Sequence, residues 1–189
     1  MAQSVTEARE KIASMYEGYK KKFPDIPDLS AAELAARLEA DNASTVLVDV
    51  RLPAEQAVSM IPGAITKEEF ERDGEKFLDR PIVVYCTIGY RSGIYVQDLR
   101  ARGYQAENLR GSILEWTQEG LPLVVPEDEP GLASKDGNSS SRTTKRVHVF
   151  GETWNLVGDE YEAVWLKKTP VLGLLQDFFK TWFKRFSKK

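Results

Sequence analysis

Short apolar runs alternate with helix-forming segments between residues 30 and 119, and this alternation constrains the fold more than any other feature of the sequence. The runs TVLVDV (Thr45–Val50) and PIVVY (Pro81–Tyr85) are brief and rich in β-branched residues, as expected of buried strands. Helical patterns flank them, the first after a capping box at Ser30–Glu33. The sequence therefore predicts an α/β domain around a mainly parallel sheet, with its chemistry at the carboxyl ends of the strands.

Composition excludes several classes of protein. The chain has 189 residues, a formal net charge of -3, one cysteine and one histidine. The length allows one sizeable core, and the near-neutral charge argues against a nucleic-acid partner. One cysteine excludes an internal disulfide, and a Cys/His zinc cluster is excluded too, so no metal and no cofactor are expected. Neither a secretory signal nor a membrane-spanning apolar run is recognised, so a cytoplasmic protein is expected.

Composition also divides the chain into four segments. Residues 1–27 are predicted to form an N-terminal helical arm, helical from about residue 5 to 22, and residues 28–125 the α/β domain. Residues 126–145 are polar and rich in Pro, Gly and Ser, which predicts a flexible linker. Residues 146–189 form a C-terminal extension, and the sequence leaves open whether its first part folds back on the core.

The segment VVYCTIGYRS (Val83–Ser92) places the cysteine between a buried strand and a helix. Such a loop directs backbone N–H groups at one point, and the following helix adds its positive end. This environment lowers the pKa of a thiol and stabilises a thiolate. Gly89 allows a tight turn, Arg91 adds a cation and Ser92 a hydroxyl donor. Cys86 is thus a candidate nucleophile, and the alternative is a small buried core residue.

Other cysteine chemistries fit the spacing less well. A cysteine phosphatase or arsenate reductase uses Cys-x5-Arg, whereas here Arg91 is one residue too close to Cys86. A papain-like mechanism needs a histidine partner, but His148 lies in an alternating segment beyond the linker, where an edge-strand or surface position is expected. Because the chain has no second cysteine, sulfur bound at Cys86 would have to pass to an external acceptor.

Four segments in order resemble those of the rhodanese family of sulfurtransferases. They are VLVDVR (Val46–Arg51), SMIPGAI (Ser59–Ile65), CTIGYRS (Cys86–Ser92) and GSILEWTQEGLPLV (Gly111–Val124). The last three are similar to the family's Gly-His-Ile-Pro-Gly-Ala turn, its Cys-x-x-Gly-x-Arg-Ser loop and its closing segment with Trp, Gly and Pro-Val. The resemblance covers about residues 28–125. Ser112 is predicted to cap a short helix in the closing segment.

The resemblance implies a rhodanese-like fold, with about five strands in a mainly parallel sheet flanked by helices. It implies transfer of a sulfane sulfur through a persulfide on Cys86, from a thiosulfate-like or other donor to a thiol or cyanide. Asp49 and Arg51 match a strand-end pair that braces the site, with an ordinary ion pair as the alternative. The alternative function is a catalytically weak binding or regulatory module. Substrate-binding roles are implied for Thr87, Ile88, Gly89, Tyr90, Arg91 and Ser92.

The chain departs from the family pattern at two places. Ser59 and Met60 stand where the family turn has Gly and His, which affects a mostly structural turn. Thr87 and Ile88 stand where many members have a basic or polar residue, and fewer cations near Cys86 weaken the expectation of a preference for thiosulfate. Together, Ile88 and Tyr90 suggest a loop rim that accepts a less charged or larger donor.

The C-terminal end is basic and amphipathic. Residues 167–189 carry seven basic side chains and one acid, in a chain that is otherwise acidic. From Pro170 onward, the Phe and Trp residues fall on one half of a helical wheel and most Lys residues on the other. Three interpretations of residues 170–189 stay open. The helix docks on the domain, lies on an anionic membrane surface, or binds a protein partner.

Overall fold

The computed structural model describes residues 5–41, 44–126 and 142–165. Five strands form its central sheet: β1 (Asp28–Leu29), β2 (Val46–Asp49), β3 (Ile65–Thr66), β4 (Ile82–Tyr85) and β5 (Ala106–Leu109). Their spatial order is β1-β5-β4-β2-β3, and every neighbouring pair is parallel. The predicted α/β class, with a five-stranded parallel sheet flanked by helices, is therefore confirmed.

The helices follow mostly local signals. They are α1 (Val5–Lys20), α2 (Ala31–Ala40), α3 (Pro53–Gln56), α4 (Lys67–Asp73), α5 (Tyr90–Ala101) and α6 (Ser112–Gln118), with a 3-10 turn at Gly74–Phe77 after α4. At the start of α2, Ser30 Oγ accepts from Glu33 N at 3.2 Å, and the Glu33 carboxylate accepts from Ser30 N at 2.9 Å. The predicted capping box is thus present.

The start of α6 corrects a prediction. Gly111, with φ 60°, caps this helix, and Ser112, with φ 50°, is its first residue. Because glycine has no Cβ, it adopts the left-handed conformation that turns the chain into the helix. The Ser112 hydroxyl therefore does not cap α6 and instead forms hydrogen bonds beside the cysteine loop.

The sheet is buried on both faces. All four residues of β4 are buried, with Val83 and Tyr85 in one apolar cluster and Ile82 and Val84 in the other. This double burial explains why the strand is a continuous apolar run with no polar alternation.

The N-terminal helix packs on the domain. Ala8, Ile12 and Tyr16 lie on its buried face, and α1 contacts α5 and α6. Arg9 Nη1 also lies 2.7 Å from Glu119 Oε1. The helix predicted near residues 5 to 22 therefore spans Val5–Lys20 and covers one end of the sheet.

The described part of the extension, residues 142–165, folds back on the core. Strand β7 (Thr143–Thr144) pairs with β6 (Leu123–Val124), and β8 (Arg146–His148) pairs with β9 (Glu162–Val164). A 3-10 turn at Glu152–Trp154 lies between β8 and β9. The apolar side chains that join the core are Val147, Val149, Leu156 and Tyr161.

Two predictions fall wholly or largely outside the described residues. The linker predicted over 126–145 lies mostly outside the described residues. Its last residues are described, and strand β7 among them pairs with β6, which corrects the linker prediction for that strand. The helix predicted over 170–189 lies there entirely and stays a prediction. In the ranges that the structure does describe, no helix combines the length and apolar character needed to cross a bilayer.

Candidate active site

The site begins where β4 ends. Cys86 follows the strand directly, and α5 begins at Tyr90 after a tight turn. Gly89 makes the turn with φ 101°, and a Cβ at this position would lie 2.5 Å from a ring carbon of Tyr16. The Gly89 carbonyl accepts from Asn108 Nδ2 at 2.9 Å. Both the backbone conformation and the space therefore require glycine here.

The Cys86 thiol receives hydrogen bonds from its own loop. Its Sγ accepts from Gly89 N at 3.2 Å, and Ser92 Oγ lies 3.5 Å away. Burial, the largest single influence, raises the pKa of this thiol, but Arg91, Ser92 and Gly89 together lower it below its ordinary value. These donors thus stabilise the thiolate relative to that of an ordinary cysteine, although the residue is only 1% exposed.

Helix α6 holds the opposite side of the loop. Ile113 N donates to the Cys86 carbonyl at 3.3 Å, and Leu114 N donates to the Thr87 carbonyl at 3.2 Å. Ser112 Oγ accepts from Cys86 N at 3.1 Å and donates to the Leu109 carbonyl. Sequence reasoning missed this positioning role of Ser112, because its contact with Cys86 spans 26 residues.

A buried glutamate that the sequence analysis missed lies beside the loop. Glu55 accepts from Arg91 Nη1 at 2.8 Å and from Nη2 at 2.9 Å, and Thr87 Oγ1 lies 3.3 Å from the same carboxylate. Burial favours the neutral acid, but the charges of Arg91 and Arg51 outweigh it and lower the pKa of Glu55 to about 2. Nothing local in the sequence indicates this partner, because Glu55 and Arg91 are 36 residues apart.

Asp49 and Arg51 form a second buried pair. Their side chains are 0% exposed, with Arg51 Nη2 at 2.7 Å from Asp49 Oδ2. The same guanidinium donates to the Ser59 carbonyl, and Ile61 N donates to Tyr85 Oη at 3.1 Å. These bonds tie the SMIPGAI turn to β2 and β4, which suits the supporting role predicted for the pair.

Two loop residues lie in a setting that differs from the prediction. Ile88 is buried in the apolar core, and Tyr90 is buried with its ring centroid 5.3 Å from that of Tyr19. The ring centroid of Phe23 lies 6.4 Å from that of Tyr90. The two residues do not form an exposed rim, because α1 and the segment after it cover them.

The extension brings His148 to this site. The residue lies in β8, which pairs with β9 in a two-stranded sheet, so the edge-strand alternative is confirmed and the surface alternative is wrong. His148 is 3% exposed, and its Nδ1 lies 3.8 Å from Glu55 Oε1. The Arg91 Cζ lies 4.9 Å from the ring centroid of Phe150. Burial lowers the pKa of His148 below its ordinary value, the charges of Arg51 and Arg91 act in the same direction, and the charge of Glu55 opposes them. The same burial favours the neutral form of the histidine, and it arises because residues 142–165 fold back on the core.

The α/β domain is similar to known proteins. The family described as Rhodanese-like domain matches residues 30–119. A protein named sulfurtransferase from Allochromatium vinosum is 40% identical over 106 residues, which are 54% of this chain and 98% of that relative. This chain belongs to the rhodanese family.

Two further relatives share part of their length with this rhodanese. A tRNA sulfurtransferase from Desulfurococcus amylolyticus is 27% identical over 94 residues, 50% of this chain and 19% of that protein. The crystal structure of thiosulfate sulfurtransferase from Pseudomonas aeruginosa is 28% identical with a TM-score of 0.52, over 63% of this chain and 24% of that one. Together the matches support a sulfurtransferase role.

The rhodanese match leaves part of the site unaccounted for. It ends at residue 119, so His148 and Phe150 lie beyond it, and Tyr16 lies before its start. In the described ranges, no group of three or more His, Cys, Asp or Glu side chains is placed to hold a metal ion.

Proposed function

We propose that this protein transfers sulfane sulfur through a persulfide on Cys86. The observation that carries the proposal is the pair of donors at the thiol, Gly89 N at 3.2 Å and Ser92 Oγ at 3.5 Å from Sγ. Donors aimed at a sulfur stabilise its anion, and the start of α5 adds its positive end to the same point. The 40% identity to a relative named sulfurtransferase supports the same reaction class.

The reaction has two halves. The Cys86 thiolate attacks the outer sulfur of a donor, whose sulfur–sulfur bond breaks as the new one forms, and the remainder of the donor leaves with the electron pair. A nucleophilic acceptor then attacks the terminal sulfur and restores the thiolate. Because Cys86 is the single cysteine of the chain, the acceptor is external, either cyanide or a thiol.

Residues around the thiol have separate roles in the proposed reaction. Gly89 and Ser92 stabilise negative charge on the resting thiolate, and we assign them the same task for the persulfide. Ser112 and α6 fix the carbonyl side of the loop. A module that only binds a partner, the alternative predicted from the sequence, is not favoured, because a thiol pKa below its ordinary value serves nucleophilic attack and a binding surface does not need it.

Intact-mass measurement tests the proposal. After exposure to a sulfane donor and desalting, the wild-type mass should rise by one sulfur atom, and cyanide should return it to the starting value. Cys86→Ser is the matched control and should show no change. Equal sulfur addition to both proteins, or none to the wild type with thiosulfate, mercaptopyruvate or a persulfide, would exclude a Cys86 persulfide.

A further inference from the structure

The cation beside Cys86 is neutralised within the fold. Arg91 is the positive group whose charge acts on the Cys86 thiol, and both of its terminal nitrogens bond the Glu55 carboxylate, which is 2% exposed. The neighbouring Arg51 is paired in the same way with Asp49. Two positive and two negative side chains therefore cancel, and an ionised Cys86 leaves the site with net negative charge.

Residues of the extension cover the Arg91–Glu55 ion pair. Phe150 covers the guanidinium, with 4.9 Å from Arg91 Cζ to the ring centroid. His148 Nδ1, also in the extension, lies 3.8 Å from Glu55 Oε1, and in the cysteine loop Thr87 Oγ1 accepts from Arg91 Nη2 at 3.1 Å. A buried carboxylate that loses its cation is strongly disfavoured. Arg91 is thus committed to Glu55 and is not available to bind an anionic donor.

Donors differ in the charge that they bring and release. Thiosulfate arrives as a dianion and leaves as sulfite, so it needs positive groups to offset repulsion from the thiolate. A thiol persulfide, R–S–SH, carries one negative charge when ionised and none when protonated, and it leaves as a thiol or thiolate. In a poorly solvated site these charge differences have large effects, since Coulomb energies grow as the effective dielectric constant falls.

We propose that Glu55 is a specificity-determining residue, which cancels Arg91 and so makes the site select thiol persulfides over thiosulfate. This inference rests on the proposed persulfide chemistry at Cys86. In the step, the Cys86 thiolate attacks the outer sulfur of R–S–SH, the donor's S–S bond breaks, and R–S⁻ leaves and takes the proton. One sulfur–sulfur bond replaces another, so no oxidant or reductant is required.

The test compares donors on two proteins. Sulfur loading of Cys86 is followed by intact mass against time, with cysteine persulfide and with thiosulfate, in wild type and in Glu55→Gln. Glutamine keeps the shape of the side chain and removes its charge, so the thiosulfate rate should rise at least about tenfold and the persulfide rate should change less than about threefold. The intrinsic reactivity of each donor cancels when its loading rate in Glu55→Gln is divided by its loading rate in the wild type.

Glu71→Gln is the matched control. Glu71 is also paired with an arginine, Arg102, but at the far end of α5 from the cysteine loop. The ratio of its loading rates with thiosulfate and with cysteine persulfide should equal that of the wild type. If Glu55→Gln slowed both donors equally, Glu55 would be structural only and the specificity proposal would be overturned.

The wild-type protein gives a second test that needs no variant. Salt screens the repulsion that a dianion meets while it approaches the site through solvent, so higher ionic strength should accelerate loading by thiosulfate and leave loading by cysteine persulfide almost unchanged. Slower thiosulfate loading at high salt would reveal attraction and overturn the proposal. Loading by thiosulfate as fast as by persulfide would overturn this inference alone, whereas no loading by either donor would overturn the persulfide chemistry as well.

Discussion

Gly89→Ala is the substitution for which the structure makes the sharpest stability prediction. Gly89 has φ 101°, and a Cβ there would lie 2.5 Å and 2.8 Å from two ring carbons of Tyr16. Alanine would therefore meet two separate penalties, a left-handed backbone and an overlap with a fully buried ring. The backbone penalty is about 1–2 kcal/mol, and overpacking of a core typically costs about 1–3 kcal/mol. The expected loss of unfolding free energy is thus about 2–5 kcal/mol.

Gly103→Ala separates the two penalties. Gly103 has φ 94°, close to that of Gly89, but nothing lies within 4 Å of a Cβ built there. This variant should lose only the backbone contribution, about 1–2 kcal/mol. The excess cost of Gly89→Ala over Gly103→Ala then measures the overlap with Tyr16.

Equilibrium urea unfolding supplies the measurement, with the midpoint and slope fitted for each protein. In a Tyr16→Ala background the ring is gone, so Gly89→Ala should cost no more there than Gly103→Ala costs in the wild type. Displacement of the Gly89 N–H should also raise the pKa of the Cys86 thiol, because that group donates to Sγ. Equal losses for the two glycine variants, with no coupling to Tyr16, would refute the steric argument.

Three further predictions follow from other contacts. Ser92→Ala removes a hydroxyl that lowers the pKa of Cys86, so the pH profile of thiol alkylation by iodoacetamide should shift to higher pH and the rate at neutral pH should fall. Burial lowers the pKa of His148 below its ordinary value of 6.5, so the unfolded chain binds a proton that the folded one does not, and stability should fall as pH drops below about 6.5, by at most about 1.4 kcal/mol per pH unit. His148→Gln should lack this part of the pH dependence, as measured by urea unfolding at several pH values. A Cβ on Gly158 would lie 2.1 Å from the Thr117 carbonyl oxygen, so Gly158→Ala should displace the extension and lower the unfolding free energy by about 1–3 kcal/mol.

Each of these three predictions has a control variant or a result that would contradict it. Thr117→Ser is the control for Ser92→Ala. It keeps the hydroxyl at position 117 and should leave the pH profile of thiol alkylation unchanged. Identical pH dependence of stability in wild type and His148→Gln would mean that the histidine titrates normally. Gly18→Ala, in α1 with nothing within 4 Å of the new Cβ, should stabilise the protein by up to about 1 kcal/mol, opposite in sign to Gly158→Ala.

Several elements could be predicted because their signals are local. The buried strands Val46–Asp49 and Ile82–Tyr85 are runs of β-branched residues, and the capping box at Ser30 starts α2. Helix α4 carries the same type of capping signal at Thr66 and Glu69, yet the sequence analysis did not identify it. Strand β1 follows two prolines that mark the end of α1, and its two residues are too few for a periodic pattern.

The positioning of the site could not be predicted in the same way. Glu55 pairs with Arg91 across 36 residues, and Ser112 reaches Cys86 across 26. His148 belongs to a segment whose alternating pattern fits a surface strand equally well. None of these partners is specified by spacing along the chain, since each depends on how separate elements pack.

Local signals along the chain were enough to specify the parallel α/β sheet and the loop with Cys86, Gly89, Arg91 and Ser92, because strand propensity, capping and a seven-residue motif act over short stretches of chain. The pairing of Arg91 with Glu55, and the covering of this pair by the extension, became visible in the folded protein alone. Charge pairing and burial act through space, between segments that become neighbours when the chain folds.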